Sequence, residues 1–446
     1  MKSHFKHIFA AAAMLVTGYG ASAQTNFTFN NDSLYQTGTP NTGRVWGYTF
    51  GDFYYKGHAD SATRGGANQY TGIPGGRNAF QLRRIYLGYD YNISKKFSAE
   101  LLLSAEDNFP GENPPGSTNA ASGDLLSNGK EAFFIKLANV KWKNVWNGTD
   151  LVVGMQGTPG FANLTEKVWN YRSIERTIAD IRRTPSYDMG VGLNGTFDPK
   201  TKNFGYDLLV ANGTSDRPAA SSFKWFYGDV WAKFLDKKLI VDLYGDYQRL
   251  NWTPTWHHDR QMLKAFVAYN TQPITVGVEG FVNNIKQDTK AALVSNPASF
   301  DTLSTKAQGI SFYVHGDIVP SKLRFFARYD MYNPNKNIDN SKYASYAGIS
   351  SPGGYNSPSY HLSYDGSTTG APTGATSTGD VTGKETFITA GLDFTPIKNV
   401  HLEPNIWYNS YSSQLKGVSN KDHDLVYRLT FFYVFGKTYK NTYNQF

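Results

Sequence analysis

The stretch DLVYRLTFFYVF, residues 424–435, decides how the rest of the chain is read. Leu425, Tyr427, Leu429, Phe431, Tyr433 and Phe435 take every second position, against Asp424, Arg428 and Thr430 on the alternate ones. A period of two marks a strand whose two faces meet different surroundings. Soluble strands cluster at about 5–6 residues, whereas a tilted bilayer crossing takes about 9–11. The same alternation recurs upstream. Ile85, Leu87, Tyr89 and Tyr91 oppose Tyr86, Gly88 and Asp90. Leu101 and Leu103 oppose Glu100 and Ser104, while Leu323, Phe325, Ala327 and Tyr329 oppose Arg324, Phe326, Arg328 and Asp330.

Sixteen such strands are expected, starting near Arg44. Short connections fall near residues 92–96, 143–149, 198–203, 235–237, 270–273, 320–322 and 396–398. Longer links alternate with them at 57–79, 108–130, 157–185, 213–222, 251–258, 286–306, 333–383 and 412–421. Strict alternation gathers the short turns at one end of a sheet and the long loops at the other, as in outer-membrane barrels. In hydrocarbon every backbone donor and acceptor needs an internal partner, so a sheet that spans must close. The expectation is an all-β transmembrane antiparallel barrel.

Composition agrees. The 446 residues include no Cys, 30 Tyr, 29 Phe and 9 Trp. Charged residues make up 18%, below the soluble average of about 25%. The first 23 residues read as a secretory signal: Lys2 and Lys6, an apolar run over 8–16, and Ala21-Ser22-Ala23 before Gln24. Residues 24–42 read as a periplasmic tail and 43–446 as the barrel. Removing the two signal lysines leaves a mature charge of +8 − 2 = +6. Trp46, Tyr48, Tyr54, Tyr89, Tyr91, Trp407, Tyr408 and Tyr411 are expected in aromatic girdles at the strand ends. Arg83 shares parity with Ile85 and Leu87, so it is expected to face outward and snorkel to the rim.

Residues 157–185 stand apart. Tyr171, Ile174, Ile178 and Ile181 recur at helical spacing, with Arg172, Arg176 and Arg183 opposite them. Asn163 with Glu166 suggests an N-cap, and Pro185 a stop. A sixteen-stranded barrel leaves a lumen too wide for wall side chains to fill, so a short helix in this loop is expected to fold into the pore. Its bases, Lys167, Arg172, Arg176, Arg182 and Arg183, exceed Glu166, Glu175 and Asp180 by two. Wall positions of lumen parity add Arg84, Arg324, Arg328 and Arg428, alongside Glu100, Glu106, Asp188, Asp242, Asp246, Glu279 and Glu403. Charge at a narrow, low-dielectric point dominates selectivity, so a weak anion preference is expected.

Three pieces carry a family resemblance: Phe80-Gln81-Leu82-Arg83-Arg84 leading to Leu87-Gly88-Tyr89, Gly154-Met155-Gln156-Gly157-Thr158-Pro159, and Ile174-Glu175-Arg176 followed by Asp188-Met189-Gly190-Val191. Over roughly residues 80–195 the chain resembles the phosphate-selective porins of the O and P type. That resemblance implies a sixteen-stranded homotrimer in the outer membrane that passes anions or small solutes by diffusion. Members with true phosphate selectivity line the pore with an arginine ladder, which the spacing here does not locate. Partners are therefore small hydrophilic or anionic solutes and membrane lipid. No cofactor, nucleic acid or catalytic group is expected. Gly190-Val191-Gly192-Leu193-Asn194-Gly195 matches a dinucleotide string but lies inside a strand with no helix behind it. His257-His258-Asp259 and Asp422-His423-Asp424 read as solvated loop groups, since neither finds a third metal-ligating cluster. The alternative to a porin is an outer-membrane or secreted carbohydrate-binding β-protein using surface aromatics.

Overall fold

The computed structural model describes residues 38–61, 70, 72–106, 133–182, 185–214, 223–253, 256–348, 383–414 and 421–440. The expected signal segment, nearly all of the expected tail, Arg183 and the terminal Phe446 lie outside the described residues. The first strands are β1 (Thr42–His58), β2 (Asn78–Asn92), β3 (Phe97–Glu106), β4 (Phe134–Trp146), β5 (Thr149–Gly157) and β6 (Tyr187–Thr196). Next come β7 (Phe204–Ala211), β8 (Trp225–Phe234), β9 (Leu239–Thr253), β10 (Trp256–Asn270), β11 (Ile274–Leu293) and β12 (Phe300–Val319). The last are β13 (Leu323–Asn333), β14 (Tyr343–Gly348), β15 (Gly383–Ile397), β16 (Val400–Ser413) and β17 (Asp422–Lys440). Two helices of five residues, α1 (Thr165–Trp169) and α2 (Ile178–Arg182), sit between β5 and β6.

Every strand except β14 pairs antiparallel with its neighbours along the chain, β13 with β15 and β1 with both β2 and β17. The ring is therefore a closed sixteen-stranded barrel. The short β14 stands outside it and pairs with the loop end of β11, Thr289 opposite Gly348 through Ala292 opposite Ser345.

The seven short turns are where the alternation put them, between β2 and β3, β4 and β5, β6 and β7, β8 and β9, β10 and β11, β12 and β13, and β15 and β16. Two of the expected long links are shorter. Residues 254–255 join β9 to β10, and 294–299 join β11 to β12. After a register shift between Ile285 and Thr289 the ladder resumes with Thr289 opposite Leu303. Lys286, Gln287, Asp288 and Lys290 disguised that extension as a loop. The outer row there is not apolar, so the pairing continues without the period that announced it.

The two faces of the sheet differ sharply. Leu243 and Leu263 are 54% and 63% exposed, while the alternate Asp242 and Lys264 are 0% and 3% exposed. Charge is inside and aliphatic surface outside, the inverse of a soluble protein. Glycines on some strands make room for rings from the next one. A methyl at Gly277 would sit 2.2 Å from the Tyr313 ring, and one at Gly88 would sit 2.3 Å from Trp46.

Two local expectations are corrected. Arg83 does not face outward. The β1–β2 register shifts between Phe50 and Gly51, which pair with Arg84 and Leu82 and leave Arg83 as an extra residue. Such a bulge puts consecutive side chains on one face. Arg83 and Arg84 are both buried, and Arg83 lies 3.4 Å from Asp52. The aromatic girdle also has other members. Tyr54, Trp407 and Tyr411 are buried, and Trp46 donates to Asp90 on the inner row. Their parity is that of the charged face. The outward aromatics at the short-turn end include Phe97, Trp142, Trp146, Phe204, Phe234, Tyr269 and Phe435.

Candidate pore constriction

The segment between β5 and β6 is not one helix. Asn170 closes α1 in a left-handed conformation, φ 60, with its N–H on the Glu166 carbonyl. Leu164, not Asn163, occupies the N-cap, and it makes no side-chain cap bond. Eight residues then turn before α2 begins. The expected arginine stripe opposite one apolar face therefore does not form. The apolar residues are nonetheless buried as a set, Tyr171, Ile174, Ile178 and Ile181. Phe161, Ile178 and Ala179 pack on Leu209, Trp225, Tyr244, Met262 and Phe281. Leu164, Trp169, Tyr171 and Ile174 pack on Ile240, Phe266, Tyr313 and Phe326. These wall residues lie on the same strand face as the buried charges.

Polar contacts reach the segment from β12 and β13 and from the remaining arc of the ring. Arg83 on β2 donates to the Ser173 carbonyl at 2.8 Å, and Arg428 on β17 to the Ile174 carbonyl at 3.1 Å. Arg328 on β13 donates to the Arg176 carbonyl. Trp407 on β16 donates to Glu175, and Arg182 pairs with Glu385 on β15 at 2.5 Å. The Nε2 of His315 on β12 bonds to the Val168 carbonyl at 3.0 Å. Turn carbonyls left unpaired by the broken helix are thus satisfied by wall guanidiniums, which a carbonyl buried away from water requires.

The described arginines named from sequence are brought together, but each has partners. Arg172 lies between Glu166 and Asp180. Arg176 is 3.7 Å from Glu175 and 3.9 Å from Asp180. Arg84 faces Glu106 at 3.5 Å, Arg324 faces Asp317 at 2.9 Å and Arg328 faces Asp330 at 2.5 Å. Arg428 bonds to Asn405, Tyr70 and the Ile174 carbonyl. Burial by itself raises the Glu175 and Asp180 carboxyls. Arg176 and Arg83 outweigh it at Glu175, and Arg172 and Arg176 at Asp180, so both titrate below their ordinary values.

No protein-family model matches the chain, and no curated protein matches it. Solved structures do. An anion-selective porin from Comamonas acidovorans superposes with a TM-score of 0.51 at 12% identity, covering 88% of this chain and 100% of that one. The outer membrane channel DcaP of Acinetobacter baumannii gives 0.53 at 10% identity, covering 89% and 98%. Salmonella typhi OmpF, in complex with daunomycin, gives 0.50 at 10% identity over the same shares. The fold is that of the porin barrels.

Within this porin fold, the sequence missed Tyr70, whose hydroxyl donates to Asp52 at 2.9 Å and accepts from Arg428 at 3.2 Å. It lies in a link without periodicity, so no pattern could mark it. A block of buried acids on the β6–β11 arc also escaped notice as a block. Asp188, Asp207, Asp229, Asp242, Asp246 and Glu279 are buried there, against Arg260 and Lys264. They arise on five different strands, and only the pairing of those strands lines them up. The Asp422–His423 pair does find a third group: barrel closure brings His58 of β1 to it, with donor atoms of all three within 4.8 Å of one another. Asp422 is held by the backbone and hydroxyl of Ser61 at 2.8 Å each.

Proposed function

We propose that this chain is an outer-membrane porin through which small hydrophilic solutes diffuse, with residues 158–186 as the constriction. One observation carries the reading: a closed sheet with an apolar outer row and a charged inner row. Only a bilayer outside and water inside stabilise that inversion. The segment's contacts with wall strands on both arcs support the constriction; the half-buried Arg172, Arg176 and Arg324 are the groups a solute would meet beside it, with Arg84, Arg328 and Arg428 buried in the wall behind. The reading is of a passive channel rather than an enzyme. A homotrimer, as the family resemblance implies, is part of the proposal.

Insertion of purified protein into a planar bilayer tests it. Discrete ohmic steps are expected. A protein that gives none, and that stays monodisperse without detergent, overturns it.

Two readings of selectivity have specific support. The excess of bases in the segment and the Comamonas neighbour, named as anion-selective, favour weak anion preference, phosphate included. The pairing of every described arginine of the segment with an acid, together with the buried acids of the β6–β11 arc, favours cations. The sign of the reversal potential in a salt gradient separates them, and added phosphate blocks chloride current only under the first.

A further inference from the structure

Asp393 on β15 and Glu403 on β16 lie on the inner face near the short turn at residues 398–399. The pairs Gly391–Asn405 and Phe394–Leu402 bracket them, so the two carboxylates stand across the ladder from each other. Like charges in that relation destabilise a sheet. They are also buried, at 3% and 1% exposure, where an uncompensated pair costs more still. No lysine or arginine forms an ion pair with either among the described residues. The nearby guanidiniums make their hydrogen bonds elsewhere: Arg83, through Nη1, with Asp52 and the Ser173 carbonyl, Arg428 with Asn405, Tyr70 and the Ile174 carbonyl.

The third group is His401, two residues before Glu403 and therefore on the same face. Its Nδ1 is 2.8 Å from Asp393 Oδ1, and donor atoms of Asp393, His401 and Glu403 all fall within 4.8 Å of one another. The Tyr171 hydroxyl reaches the second Asp393 oxygen at 3.4 Å. Ser173 lies beside Glu403, whose Oε2 is buried with no hydrogen-bond partner. An orphaned carboxylate oxygen beside a second carboxylate and an imidazole is a set of donors converging on a missing acceptor of lone pairs.

We propose that Asp393, His401 and Glu403 bind one divalent transition-metal ion inside the barrel. Two carboxylates and a neutral imidazole supply a charge of −2 and one nitrogen among oxygens, a donor set suited to Zn2+, Co2+ or Mn2+ rather than to alkali cations. Donors about 2.0–2.2 Å from one ion stand about 3 Å apart, and the Asp393–His401 edge already has that spacing. Side-chain exposure of 23% at His401 gives the ion a way in from the lumen. Tyr171 and Ser173 belong to the constriction segment, so the ion would tie that segment to the wall at β15 and β16.

The test uses the full chain in detergent, with His58→Ala and Asp422→Asn introduced to silence the loop-end cluster. Calorimetric titration of chelator-stripped protein is expected to give one saturable Zn2+ site per chain, at least tenfold weaker after Glu403→Gln. Pulsed electron paramagnetic resonance of Cu2+ bound to the silenced protein, with no lumen substitution, is expected to show modulation from a single imidazole, lost in His401→Gln. Absence of saturable Zn2+ binding overturns the proposal. So does an affinity unchanged by Glu403→Gln in a variant that keeps heat-modifiable migration, or a signal from two imidazoles. Channel conductance measured on the same protein reports the porin reading independently.

Discussion

At the scale of the residue, the segment between β5 and β6 is held by charge pairs with specific partners. Arg172 is the clearest case, because it joins Glu166 of α1 to Asp180 of α2. Arg172→Ala is expected to leave Glu166 without its cation and Asp180 with Arg176 alone, shifting the reversal potential toward cations relative to the unchanged protein in the same salt gradient. An unshifted potential would mean that these groups lie off the solute path. The glycines under aromatic rings work by space instead of charge. Gly277→Ala drives a methyl into the Tyr313 ring, a small-to-large change that costs about 1–3 kcal/mol. A lower urea midpoint for folding into lipid vesicles checks it.

At the scale of the element, the segment between β5 and β6 depends on ionised acids. Glu175 and Asp180 have folded values below their ordinary ones, because adjacent arginines favour the carboxylate over the effect of burial. The stabilisation is therefore complete above the ordinary carboxylate range, about pH 4, and is lost as pH falls through the lower folded values. Single-channel records are expected to be quiet at pH 7 and to turn noisy, with larger steps, well below pH 4. Quiet records at low pH would mean that the apolar contacts alone hold the segment. Removing residues 165–182 is expected to raise unitary conductance several-fold while leaving heat-modifiable migration intact.

At the scale of the whole molecule, closure between β1 and β17 unites features that are remote in the chain. It buries the Lys56–Asp424 ion pair, with 2.6 Å between the charges, and gathers His58, Asp422 and His423. Lys56→Met leaves Asp424 buried without its ammonium, and loss of one partner of such a pair costs about 3–5 kcal/mol. The expected outcome is a lower yield of the compact species on unboiled gels, with the surviving barrels conducting normally.

The alternation of residues 424–435 and its repeats determined the strands, their faces and the grouping of short turns, because a period of two is local and a bilayer enforces it along each crossing. Composition and periodicity also singled out the segment that bears α1 and α2, since its apolar residues stay buried whichever way the backbone turns. Three things required the closed ring. The bulge that turns Arg83 inward depends on the register with β1, which one strand does not carry. Arg328 reaches the Arg176 carbonyl, and Arg428 reaches Tyr70 and the Ile174 carbonyl, all on distant elements, so these contacts are a property of packing. The facing of Asp393, His401 and Glu403 arises from pairing across a ladder, where two ordinary strand residues become opposed charges only when their backbones are hydrogen-bonded side by side.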